Sequence, residues 1–230
     1  MLPPYHYLYL HGFASGPQSY KAQALKARFA ALGQSLHIPD LNQGGFGTLT
    51  LSRQIQQVCG LILAQPQPTV IIGSSLGGLT AAWVAEQPDL QEQIAKLVLL
   101  APAFQFLTQW LPRLGEVALD QWQQQGVWPI YHYADQTQRP LQYGFVEDAQ
   151  RYADEALIGQ IPTLICHGLQ DEVIAIAASR AYAAPRPWVQ LLELPSDHTL
   201  GNVEEEIWQA LGTFLSVTGP TAGSQSPLGR

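Results

Sequence analysis

The chain has 230 residues, 47% of them hydrophobic, enough apolar material for one filled core and consistent with a single α/β domain. Lys and Arg total 11 against 18 Asp and Glu, a formal charge of −7 with no basic cluster, which argues against nucleic acid as a partner. No stretch approaches the roughly 20 apolar residues of a membrane span, and Met1-Leu2-Pro3-Pro4 lacks the basic start and apolar core of a secretory signal; a cytoplasmic protein is expected.

In chain order, strands are predicted at His6–Leu10, Ser35–Ile38, Thr69–Gly73, Leu97–Ala101, Thr163–His167 and Val189–Leu194. Helices are predicted at Gln18–Leu32, Thr48–Ala64, Leu76–Glu86, Glu172–Ala183 and Val203–Val217. This alternation specifies a mainly parallel sheet of about six strands with helices on both faces. Val70–Ile72 and Leu97–Leu100 are continuous apolar runs, as strands covered on both faces require. Phe104–Ile161 breaks the alternation. No strand is predicted there, only short helices near Leu114–Gln125 and Glu147–Leu157, and its length implies an excursion over the sheet. The single domain is expected to run over 1–217. Thr218–Arg230, rich in Gly, Pro, Ser and Thr, has too little apolar surface to repay the entropy of ordering and reads as a flexible tail. Cys59 and Cys166 are read as small apolar groups rather than a disulfide.

The chemistry concentrates at strand ends. Val70-Ile71-Ile72 runs into Gly73-Ser74-Ser75-Leu76-Gly77-Gly78, a Gly-x-Ser-x-Gly pattern between a strand and a helix. There the glycines permit a tight turn and Ser75 is lifted clear of the sheet as a nucleophile. Leu76 opens the helix, so its N–H points to where an acyl oxygen would gain charge. His167-Gly168-Leu169-Gln170-Asp171 follows another strand and supplies a carboxylate; the rival reading of Asp171 is a cap of the next helix, and Glu172 is the fallback acid. Pro195-Ser196-Asp197-His198 follows the last strand and supplies a histidine. The order Ser75, Asp171, His198 is that of one of several unrelated serine-hydrolase arrangements. His11 and His167 are read as organising the loops they begin, and Asp197 as structural. No His-x-x-x-His or Glu-x-x-His pair is present, so neither a metal nor a cofactor is expected.

From Tyr5 to Phe214 the chain resembles the α/β-hydrolase superfamily. Tyr9-Leu10-His11-Gly12-Phe13, the Gly73–Gly78 turn and the small size are most similar to the YqiA-type small esterases. The resemblance implies a reduced α/β-hydrolase fold, starting on the strand that carries the His-Gly pair, with a helical cap insertion over 104–161. It implies a second oxyanion-hole donor, the Phe13 N–H, beside that of Leu76. The aromatic cap residues Phe104, Trp110, Trp122 and Phe145 are then candidate substrate contacts. The activity implied is hydrolysis of a carboxylic ester of a small or medium acyl group through an acyl-serine intermediate. The alternatives are an acyl thioesterase with the same triad and a non-catalytic protein that retains the pocket for ligand binding. The partner expected is a small-molecule ester or thioester; the sequence carries no signal of oligomeric state.

Overall fold

Six parallel strands form the sheet of the computed structural model, which describes residues 2–216; the tail read over 218–230 lies outside them. In chain order the strands are β1 (His6–Leu10), β2 (Leu36–His37), β3 (Thr69–Ser74), β4 (Ile94–Leu100), β7 (Thr163–Gly168) and β8 (Val189–Leu194), in spatial order β2-β1-β3-β4-β7-β8. The helices between and after them are α1 (Tyr20–Ala31), α2 (Leu51–Leu63), α3 (Leu76–Ala85), α7 (Ile176–Ala183) and α8 (Glu204–Ser216).

The apolar runs of the central strands feed two cores by alternation. Ile71, Leu97 and Leu99 face the core built on α2, α3 and the cap, whereas Val70, Ile72, Val98 and Leu100 face the core built on α1 and α8. Every residue of β3 and of α3 is buried, so the element that leaves Ser75 is held on all sides. Helix α2 shows the other type of helix: Leu51, Ile55, Val58 and Ile62 form one buried stripe, and the Thr50 side chain accepts the Arg53 N–H at its start. The chain runs from β1 outward to β2 and then returns to β3 on the other side of β1. The sheet therefore has its switch point between β1 and β3, where open α/β sheets form a crevice at their C-terminal strand ends.

The segment 104–161 differs from expectation. It contains α4 (Phe106–Leu114), α5 (Glu116–Gln125), α6 (Gly144–Ala149) and, where no strand was predicted, an antiparallel hairpin of β5 (Val127–His132) and β6 (Thr137–Gln142). Pro129 and Pro140 face each other in this ribbon, which is why it does not read as a strand pair. Proline is tolerated because each strand has a free edge. The ribbon is fastened by burial of Leu141 and His132, by the Trp122 indole donating to the Leu141 carbonyl (2.9 Å), and by the Tyr133 N–H donating to Ala14 O (2.8 Å). The helix expected from Glu172 starts instead at Ile176, because the preceding residues turn around the Asp171 side chain.

Candidate active site

Ser75 leaves β3 with φ 53° and ψ −119°, a conformation that costs a non-glycine residue about 1–3 kcal/mol and is held only by its surroundings. Those surroundings are backbone. A Cβ on Gly73 would lie 2.4 Å from Gly77 O, and one on Gly77 would lie 2.2 Å from Leu10 O and 2.6 Å from His11 O. Gly12 packs beside the serine, where a Cβ would sit 3.3 Å from both Ser74 O and Ser75 Cβ. The ends of β1 and β3 are thus brought into contact by glycines. The Ser75 N–H donates to Leu100 O and its carbonyl accepts from Gly78, Leu79 and Ala103, so the turn itself has no slack. Neither Phe13 N–H nor Leu76 N–H finds an acceptor among the described residues, which leaves both candidate donors free for a ligand.

The other two candidates arrive from neighbouring strand ends. His198 Nε2 lies 3.1 Å from Ser75 Oγ, and its Nδ1 lies 2.7 Å from Asp171 Oδ2. With Nδ1–H donating to the carboxylate, Nε2 is left to accept the serine hydroxyl. Asp171 faces the histidine and orders the turn that follows it, but it does not cap α7, whose N-cap is Ala175. Oδ1 of Asp171 accepts the Val173 and Ile174 N–H groups (2.8 Å each), while Oδ2 faces the histidine. The β7 and β8 ends must approach closely for this, and Gly168 allows it: a Cβ there would lie 2.3 Å from Ser196 O.

His167 takes a part that sequence reasoning did not assign. It is fully buried, its Nε2–H faces Asp171 Oδ2 (3.1 Å) and the Ile174 carbonyl (3.0 Å), and Nδ1 accepts the Ser179 hydroxyl (2.7 Å). Burial alone would raise the Asp171 carboxyl. Hydrogen bonds from His167 and His198, the charge of His198 and the Ile174 amide outweigh it and hold the group well below the usual carboxylate range. The signal was the i,i+4 spacing of His167 and Asp171, which acquires meaning only once the chain turns back at Gly168. His11 secures the opposite loop, accepting the Leu41 N–H at Nε2 (3.0 Å). Asp197 Oδ1 accepts from the Thr199 N–H and hydroxyl within its own turn.

The four cap aromatics are placed differently from one another. Phe104 stacks on Tyr182 (4.3 Å, 15°), and Phe104, Trp122 and Phe145 are fully buried, so they pack rather than line open space. Phe145 stacks on Phe13 (5.2 Å), which Trp110, Phe46 and Phe106 also surround at 5.3–6.0 Å. These aromatics therefore grip the loop that carries the Phe13 N–H. A cavity of about 230 Å³ lies instead against Leu76 and Leu79 of α3, closed by Leu51, Phe106, Leu107 and Ala149, with Asp154 at its rim. Burial pushes the Asp154 carboxyl up to about 6, although it accepts the Gln105 N–H. Because the folded pKa is raised, this group favours the folded state below the ordinary carboxylate range and loses that contribution as pH rises through about 6. Asp154→Asn should therefore raise Tm at pH 8 and give a gain that shrinks toward pH 4, measured by thermal unfolding across that range.

Sheet order, switch point and a serine at the strained turn after the central strand define an α/β-hydrolase fold with a cap inserted after β4. The chain belongs to the uncharacterised protein family UPF0227, the YqiA-type family, whose profile matches residues 6–215. Similar solved structures share the fold. Est1E from Butyrivibrio proteoclasticus, with ferulic acid bound, is 21% identical with TM-score 0.75, covering 93% of this chain and 89% of its own. Alpha/beta hydrolase domain-containing protein 10 from mouse is 19% identical with TM-score 0.73, covering 93% and 89%. The monoacylglycerol lipase of Paleococcus ferrophilus is 16% identical with TM-score 0.68, covering 90% and 92%. No curated protein sequence matches this one. Among the described residues no helix is long and apolar enough to cross a membrane.

Proposed function

We propose that this protein is a serine hydrolase that cleaves carboxylic esters of small or medium acyl groups. The observation that carries the reading is the continuous line Asp171 Oδ2 to His198 Nδ1 (2.7 Å) and His198 Nε2 to Ser75 Oγ (3.1 Å), ending on a strained turn beside two unengaged amides. His198 takes the hydroxyl proton as Ser75 Oγ bonds to the carbonyl carbon, and Asp171 stabilises the imidazolium. The Phe13 and Leu76 N–H groups hold the oxyanion, each contributing about 3–4 kcal/mol at most. Protonation of the leaving alkoxide by His198 releases the alcohol. A water molecule, deprotonated by the same histidine, then hydrolyses the acyl-serine. An acyl thioester would pass through the same intermediate, with a thiol leaving.

The cavity beside Leu76 supports an apolar acyl site of limited length. Each methylene buried there should improve kcat/KM by about 0.8 kcal/mol until the wall is met. A series of p-nitrophenyl esters and matching acyl thioesters is the test. The rate should climb with acyl length and then fall, and Leu107→Trp, which fills the cavity, should shorten the optimum. Absence of turnover across both series, with no modification of Ser75 by a fluorophosphonate, would overturn the hydrolase reading in favour of ligand binding.

A further inference from the structure

Lys21 sits in the first turn of α1, partly buried, where its charge opposes both the helix dipole and its own desolvation. Something must offset those costs. Its Nζ donates to Ser74 Oγ (3.2 Å), the residue before the candidate nucleophile. Strand alternation explains why. Tyr9 of β1 and Ser74 of β3 point to the α1–α8 side of the sheet, away from the cap. From that side the ammonium faces the negative charges of Asp171, Glu204 and Asp197, and it lines a small gap with Leu200 of the histidine loop and Glu204 of α8. Arg28, on one side of the same gap, is engaged by Glu205 (2.8 Å), whereas Lys21 is held on Ser74 at the end of β3.

We propose that Lys21 is a positioning residue for the reaction at Ser75, its ammonium bracing the Ser74–Ser75 turn from the face opposite the substrate, beside Leu200 of the histidine loop. This inference rests on the serine-hydrolase reading. Burial lowers the ammonium to about 8 against the pull of the three carboxylates, so the tie is charged at neutral pH and weakens in mild alkali. Because Lys21 does not face the cap, its loss should act on kcat and leave KM nearly unchanged.

The test is the rate of Ser75 modification by a fluorophosphonate as a function of pH, which needs no knowledge of the natural substrate. In Lys21→Met the plateau rate should fall about tenfold, and the kcat for p-nitrophenyl ester turnover should fall in step with KM unchanged, a split that a merely structural role would not give. Ser74→Ala, which keeps the charge but removes its anchor, should lower the plateau in the same direction by a smaller factor. Should Lys21→Met fail to fold, Lys21→Gln is read in its stead, since it too removes the charge. A wild-type protein that is not modified at Ser75 would overturn the serine-hydrolase reading, and this one with it. Modification of the wild type with an unchanged plateau in the lysine variant would overturn the role of Lys21 alone, even if its Tm were lowered.

Discussion

Asp171→Asn should lower kcat by about 10⁴-fold, the loss this change causes in the best-characterised Ser-His-Asp triad, while the fold is kept. The geometry fixes which way the amide turns. Oδ1 accepts two backbone N–H groups, from Val173 and Ile174, so an asparagine must place its carbonyl there and its NH2 toward His198 Nδ1. The imidazole then carries its proton on Nε2 and cannot accept one from Ser75. Glu172→Gln should change the rate by less than about twofold, since Asp171 already occupies the position behind the imidazole. Ser75→Ala should abolish both turnover and fluorophosphonate labelling, and Ser74→Ala should retain labelling. Near-normal kcat for Asp171→Asn together with a severe loss for Glu172→Gln would reassign the acid.

The second large effect is on the turn itself. Gly77→Ala places a methyl 2.2 Å from Leu10 O and 2.6 Å from His11 O, both backbone atoms of a buried strand end that cannot move aside cheaply. Overpacking of this kind costs about 1–3 kcal/mol, and a collision with backbone belongs at or beyond the upper end. Activity should suffer more than stability, because relief of the clash pushes the start of α3, and with it the Leu76 N–H, away from β1. Gly212→Ala is the control. That glycine lies inside α8 with nothing within 4 Å of an added Cβ, so alanine there should stabilise by about 0.5–1 kcal/mol. Urea unfolding of both variants, with the rate of Ser75 modification by a fluorophosphonate in each, separates the two outcomes. Equal stability of the Gly77 and Gly212 variants would show that the turn has room the geometry denies it.

The cap shows where local sequence signals stop. The Val127–His132 and Thr137–Gln142 ribbon carries prolines in both strands and little alternation, so its pairing comes from what it lies on: Ala14, the Phe46–Thr48 turn and the Trp122 indole. Likewise Phe104, Trp110, Trp122 and Phe145 were candidate substrate contacts because aromatic residues suit both a pocket and a core. Phe104, Trp122 and Phe145 are buried in the packing, Trp110 is only partly buried, and the cavity is lined by Leu76, Leu79 and Leu107.

By itself the sequence determined the parallel sheet, the strand boundaries at His6–Leu10 and Val189–Leu194, and the candidates Ser75, Asp171 and His198, because these rest on local rules. Apolar runs mark strands buried on both faces, glycine pairs mark a turn with no room for side chains, and polar residues stand at strand ends. What the tertiary structure alone decided are the long-range partners: His167 behind Asp171, Lys21 beneath Ser74, and the hairpin against the Phe13 loop. Each depends on two chain segments, separated by turns or by whole strands and helices, meeting at a distance of about 3 Å, and no local propensity encodes such a meeting.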